Sequence, residues 1–324
     1  MQQAKESCLF LHIPKAAGTT LQTILSHNFS PRQTWIIDPN CTTSRIDYFF
    51  KLSPVEQQKV IAFRGHMAFG LHRHLNRDCT YVTLLRHPVD RMVSHYHYVK
   101  QCGPGHYLYR DLIRHGYSLA DYVRSGISPE LDNGQVRLLT DTENSVPIGS
   151  MTPRHLEQAK ENLVRYFGVV GTVDRFDEFL IMLRRRFDLP CIDYDRENVT
   201  RNRPRLQDLP VSDREAILSW NRLDEELYAF AQELMTSQIQ AYGPNFKRDL
   251  REFRRRQWRR RQSSKIALAL RSTLSPLRRT LENALGKILD TLGAERDGSS
   301  ELTLSGLSRA GMSSGELPCH RSDN

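Results

Sequence analysis

Long hydrophobic runs are missing from this sequence. No segment approaches the roughly 18 consecutive apolar residues of a membrane-crossing helix. The N-terminal apolar stretch, Cys8 to Ile13, stops at Pro14 and Lys15, too short for a secretory leader. The expectation is a cytoplasmic chain whose first strand leaves no room for an N-terminal anchor. Cysteine is sparse. Cys8, Cys41, Cys79, Cys102, Cys191 and Cys319 include no CxxC pair, which argues against a zinc site or a disulfide framework. There is also no GxxxxGK[ST] loop, the phosphate cradle of P-loop kinases and NTPases. Disorder is excluded for most of the 324 residues, since 39% are hydrophobic.

The net charge of +9 is unevenly placed. Residues 247–324 carry 17 of the 46 Lys and Arg but only 9 of the 37 Asp and Glu, so residues 1–246 are nearly neutral. The sequence therefore divides into a body (1–246), a basic and amphipathic helical extension (247–292) and a polar, disordered tail (293–324). In the extension, KRDLREFRRRQWRRR offers a cationic helix to an acidic membrane surface or acidic partner. No specific nucleic-acid partner is expected.

Four short, continuous apolar runs stand in the body: Cys8–Ile13, Val60–Phe63, Tyr81–Leu85 and Phe167–Gly171. Such runs suit strands buried on both faces of a parallel sheet. Helical patterns over about 18–29, 88–101, 153–166, 174–187 and 212–240 separate and follow them. The alternation predicts an α/β, three-layer, P-loop-like domain with a mostly parallel central sheet. Ligands in such folds bind at the carboxyl ends of the strands, so the residues just after Ile13, Phe63 and Leu85 are the ones to read for chemistry.

HIPKAAGTT follows the first run. Its small residues let the backbone approach a ligand. Ala17, Gly18, Thr19 and Thr20 open a helix, where N–H groups suit a phosphate, and Lys15 adds a cation at the mouth. LRHPVDRMVSHY follows the third run. Pro88 suits a first helical turn. The Arg86 fork and the Ser94 hydroxyl two turns later can hold a second phosphate. Read on its own, Arg91 is as readily paired with Asp90 or another surface acid as it is a functional contact.

The two segments together, about 60 residues apart, resemble the nucleotide-binding signatures of sulfotransferases, the family of heparan sulfate and chondroitin O-sulfotransferases. These enzymes use 3′-phosphoadenosine 5′-phosphosulfate (PAPS). The resemblance covers about residues 7–240. It implies that Lys15 and the backbone from Ala17 to Thr20 cradle the 5′-phosphosulfate, and that Arg86 and Ser94 hold the 3′-phosphate. Ala16-Ala17 replaces a more usual Thr-Gly, and His87 stands where Asp is frequent. Neither change removes a charged contact.

Transfer of a sulfuryl group to an alcohol needs a base, and histidine titrates in the right range. His66, in RGHMAFG after the second run, resembles the base of heparan sulfate 2-O-sulfotransferases, which carry a further histidine where this chain has Arg64. The other histidines read as packing or surface residues, His12 as a structural neighbour of the phosphate loop. His66, His72 and His74 lack the carboxylate pattern of a metal site. By resemblance Arg64, Gln135 and Arg137 face the acceptor, Thr172 lies near the adenine, and Arg201 and Arg203 close over the 3′-phosphate. The implied reaction is metal-free, in-line transfer from PAPS to an acceptor hydroxyl, on a carbohydrate for preference. A P-loop-like kinase or NTPase and a non-catalytic nucleotide-binding module with an anion-binding tail are the alternatives.

Overall fold

The computed structural model describes residues 6–38, 45–67, 69–142, 145–195, 206–264 and 284. Five strands, β1 (Ser7–Leu11), β2 (Thr34–Ile37), β3 (Ala62–Gly65), β4 (Cys79–Leu85) and β5 (Phe167–Thr172), form one sheet in the order β2-β3-β1-β4-β5. All neighbouring pairs are parallel. Every residue of β1 is buried, so this central strand is covered on both faces, as its unbroken apolar sequence requires. The fold is the expected three-layer α/β architecture. The helices are α1 (Gly18–Asn28), α2 (Ile46–Phe49), α3 (Pro54–Lys59), α4 (Pro88–Cys102), α5 (Tyr109–Arg114), α6 (Leu119–Arg124), α7 (Gly134–Thr140), α8 (Pro153–Tyr166), α9 (Phe176–Phe187), α10 (Val211–Trp220) and α11 (Arg222–Tyr242).

Two features differ from the sequence reading. The sheet has a fifth strand, β2, at its edge. Its sequence, TWII, holds only three apolar residues and only Ile37 is buried, as befits an edge strand. The helical pattern over 212–240 is two helices, broken at Asn221. Asn221 is fully buried, and its side-chain amide donates to the carbonyls of Leu131 and Ile217 while its oxygen accepts from the Asn133 N–H. Those bonds fix the break.

Residues 1–252 form one compact unit, and its last described residues, 246–252, are helical. The second unit is described at 253–264 and 284. Residues 253–264 are helical, with exposed arginines and an exposed Trp258. The rest of the expected extension and the tail after 292 lie outside the described residues, as do Arg201 and Arg203.

Candidate active site

The ends of β3, β1 and β4 are neighbours in the sheet, and they bring His66, the His12–Thr20 loop and Arg86 to one edge of it. The first loop is held in an unusual conformation. Lys15 (φ 67°) and Ala17 (φ 58°) are both left-handed. The resulting turn leads into α1 with no side-chain cap and no acidic residue in its first turn. A helix start of this kind favours an anion. Gly18 is required there, because a Cβ would lie 1.9 Å from Nε2 of His12.

The His12 ring therefore forms the floor of the loop. Gln22 Nε2 lies 3.3 Å from its Nδ1. With the amide donating, the ring proton sits on Nε2. Burial, then the nearby His66 and Lys15, lower the His12 pKa from 6.5 to about 4, so the ring is neutral at ordinary pH. Its centroid is 5.6 Å from that of His66.

His66 itself is exposed, one residue beyond β3. Its backbone N–H donates to the Ile37 carbonyl at 2.8 Å. Gly65 makes this turn possible: its φ is 125°, and a Cβ there would meet the Ile37 oxygen at 2.2 Å. Arg64 is half-buried on β3. Its Nη1 donates to the Gln22 carbonyl at 3.4 Å, and its buried Nε has no partner among the described residues. That orphaned donor fits an anionic ligand.

Arg86 leaves the end of β4 and reaches across to the first loop, where its Nη1 donates to the Lys15 carbonyl at 2.8 Å. Its Nη2 stands 3.9 Å from Asp90. Arg91 is not a surface residue. It is fully buried and faces Asp224 at 3.7 Å, so its partner is neither Asp90 nor a surface acid. Ser94 is almost buried on α4. One turn later Tyr98 places its ring 3.3 Å beneath the Lys15 ammonium. Burial is the main reason that the Lys15 pKa falls from 10.5 to about 8; Arg86 lowers it further, while Cys102 and Glu130 oppose the shift.

Sequence reasoning missed Tyr98 and Glu130. Tyr98 had a signal, since it follows Ser94 by four residues and shares its helix face. Glu130 accepts from the Tyr107 hydroxyl and lies 3.0 Å from Nε2 of buried His95. Burial raises its pKa, but His95, Arg91 and Tyr107 outweigh that and bring it down to about 2. A permanent carboxylate thus stands within electrostatic reach of Lys15, His12 and His106.

Three other expected site residues are deep in the protein. Gln135, Arg137 and Thr172 are wholly buried. Arg137 pairs with Asp132 and donates to the carbonyls of Asp132, Val146 and Pro147, which occupies its guanidinium entirely within the chain. It braces the turn after α7 and does not present itself to a cleft. Gln135 bonds the backbone of Arg86. Thr172 lies behind Met235, 3.9 Å from its sulfur. Among the described residues there is no group of three or more His, Cys, Asp or Glu placed to hold a metal ion, and no helix long and apolar enough to cross a membrane.

The sequence model of the Galactose-3-O-sulfotransferase family matches residues 2–273. Mouse galactose-3-O-sulfotransferase 3 is 26% identical over 275 residues, covering 78% of this chain. The chain spans 62% of the length of that relative. With the family model matching well over half of its residues, the chain belongs to the galactose-3-O-sulfotransferase family.

Proposed function

We propose that this protein transfers the sulfuryl group of PAPS to a carbohydrate hydroxyl. The observation that carries this reading is the junction of the two signature loops, in which Arg86 from the end of β4 donates to the Lys15 carbonyl after β1. The loops form one anion-binding surface, and His66 stands at its rim. PAPS, when bound, supplies an activated sulfuryl group on a phosphate leaving group.

The residues divide the work. The N-terminus of α1, from Ala17 to Thr20, and Lys15 bind the 5′ end of the nucleotide and stabilise the negative charge that grows on the departing phosphate. Arg86 and Ser94 bind the 3′-phosphate, and by the family resemblance Arg201 and Arg203 join them. His66 takes the acceptor hydroxyl proton as the oxygen bonds to sulfur and the sulfur–oxygen bond to the phosphate breaks. Fixing both reactants in line supplies much of the rate. The mouse relative's name makes the 3-hydroxyl of galactose the first acceptor to test. The kinase and NTPase alternative has the weaker claim, because the lysine precedes the glycine and no Walker loop is present.

The test is transfer from sulfur-labelled PAPS to a panel of galactosides and other hexosides, with calorimetry of adenosine 3′,5′-bisphosphate alongside. Labelled sugar is expected from the intact protein. His66→Ala should abolish transfer and keep nucleotide binding, and Lys15→Ala should greatly slow turnover. No uptake of the bisphosphate and no labelled sugar would overturn the reading.

A further inference from the structure

The buried amide of Gln135 has a geometry that a generic core glutamine does not need. Its Oε1 accepts from the Arg86 N–H at 3.0 Å, and its Nε2 donates to the Arg86 carbonyl at 2.9 Å. The side chain thus grips both backbone groups of the residue just past β4, where the ladder to β5 has ended at Thr172. Its own backbone is fixed in turn. The Gln135 and Val136 N–H groups donate to the Asp224 carboxylate at 2.9–3.1 Å. Asn133 returns the favour: its Oδ1 accepts from the N–H groups of Leu223 and Asp224 at 2.9 and 3.2 Å. The starts of α7 and α11 cap each other, each satisfying donors that its own helix leaves open. Arg91, with no partner for its Nε among the described residues, adds charge beside Asp224.

Followed outward, the bonds run from Asp224 to the Gln135 backbone, from the Gln135 amide to the Arg86 backbone, and from the Arg86 guanidinium to the Lys15 carbonyl. We propose that Gln135 is a positioning residue that sets Arg86, and through Arg86 the left-handed Lys15 turn, before any nucleotide arrives. It replaces the reading of Gln135 as an acceptor contact, and it rests on the function proposed above only for the claim that Arg86 binds the nucleotide. The chemistry is specific to an amide. One end must accept and the other must donate, which methionine of similar shape cannot do. Ionised glutamate presents an oxygen to the Arg86 carbonyl, but protonated glutamic acid restores the donor–acceptor pattern.

Two measurements on the full chain test it. Hydrogen exchange of the ligand-free protein reads the positioning directly: Gln135→Met should speed exchange in peptides covering 84–88 and 13–19 and leave those of α8 unchanged. Calorimetry with adenosine 3′,5′-bisphosphate reads its consequence: affinity should fall roughly tenfold or more in Gln135→Met, the loss expected for two bonds and the groups left unpaired. In Gln135→Glu the affinity should recover towards that of the intact protein as pH is lowered through the carboxyl range. Exchange that is unchanged at 13–19, or equally faster everywhere in both variants, overturns the proposal, as does a Gln135→Glu affinity that tracks the intact protein at every pH. If the intact protein takes up no bisphosphate, the function reading fails, and the exchange experiment still decides the role of Gln135.

Discussion

The Lys15 ammonium rests on the face of Tyr98, 3.3 Å from the ring centroid. The contact joins the loop after β1 to the middle of α4, and a cation over an aromatic face is worth about 0.5–2 kcal/mol. It holds a cation whose pKa burial has already brought down to about 8. If Lys15 must be charged to stabilise the leaving phosphate, kcat/KM should decline as pH rises through about 8. The limb should vanish in Lys15→Arg, since guanidinium does not lose its proton in this range. A limb that persists in the arginine variant would assign it to another group.

Acid should weaken the fold through two histidines. His12 and His106 both have pKa values lowered from 6.5 to about 4, chiefly by burial. The unfolded chain then binds protons that the folded chain refuses, so stability is fully present above about pH 6.5 and falls as pH drops towards 4. Glu130 acts in a lower window, from 4.5 down to about 2. Denaturant titrations of His12→Gln should show a flatter slope between pH 6.5 and 4 and no change below it. An identical slope would mean that His12 is protonated in the folded chain.

Arg137 and Asp132 form a buried pair. Removing one partner from such a pair strands the other and costs about 3–5 kcal/mol. Arg137→Met should lower the unfolding free energy by that amount. If the variant keeps full stability and only the acceptor KM rises, the arginine serves substrate after all.

Gly18→Ala should drive a methyl group into the His12 ring. Overpacking of this kind typically costs about 1–3 kcal/mol, and the start of α1, proposed above to receive the nucleotide, should be displaced with it. Gly18→Ala combined with His12→Ala should recover part of the stability, because the obstructing ring is gone. Additive losses in the double variant would show that the ring is not what excludes the side chain.

The sequence disclosed the strands whose both faces are buried, because a short β-leaning and mostly apolar run such as Cys8–Leu11 or Tyr81–Leu85 has few other uses. It hid β2, an edge strand whose apolar run, Trp35–Ile37, is only three residues long. It disclosed Lys15 and Arg86 through motif spacing, which local chain geometry fixes. Gln135, Arg137 and Arg91 were misleading because polar residues read as surface when their partners are far away in sequence. Asp224 lies 89 residues from Gln135, and no local pattern announces that pairing.

The central place of β1 separates what must stay constant from what is free to vary. Lys15, His66 and Arg86 come from strand ends that sit side by side, while the described part of the segment joining β2 to β3 holds the short helices α2 and α3. A connection of that kind can lengthen or shorten without disturbing the registration of Lys15 against Arg86. A fold built this way can remodel its detours while the junction between the ends of β1 and β4 is inherited intact.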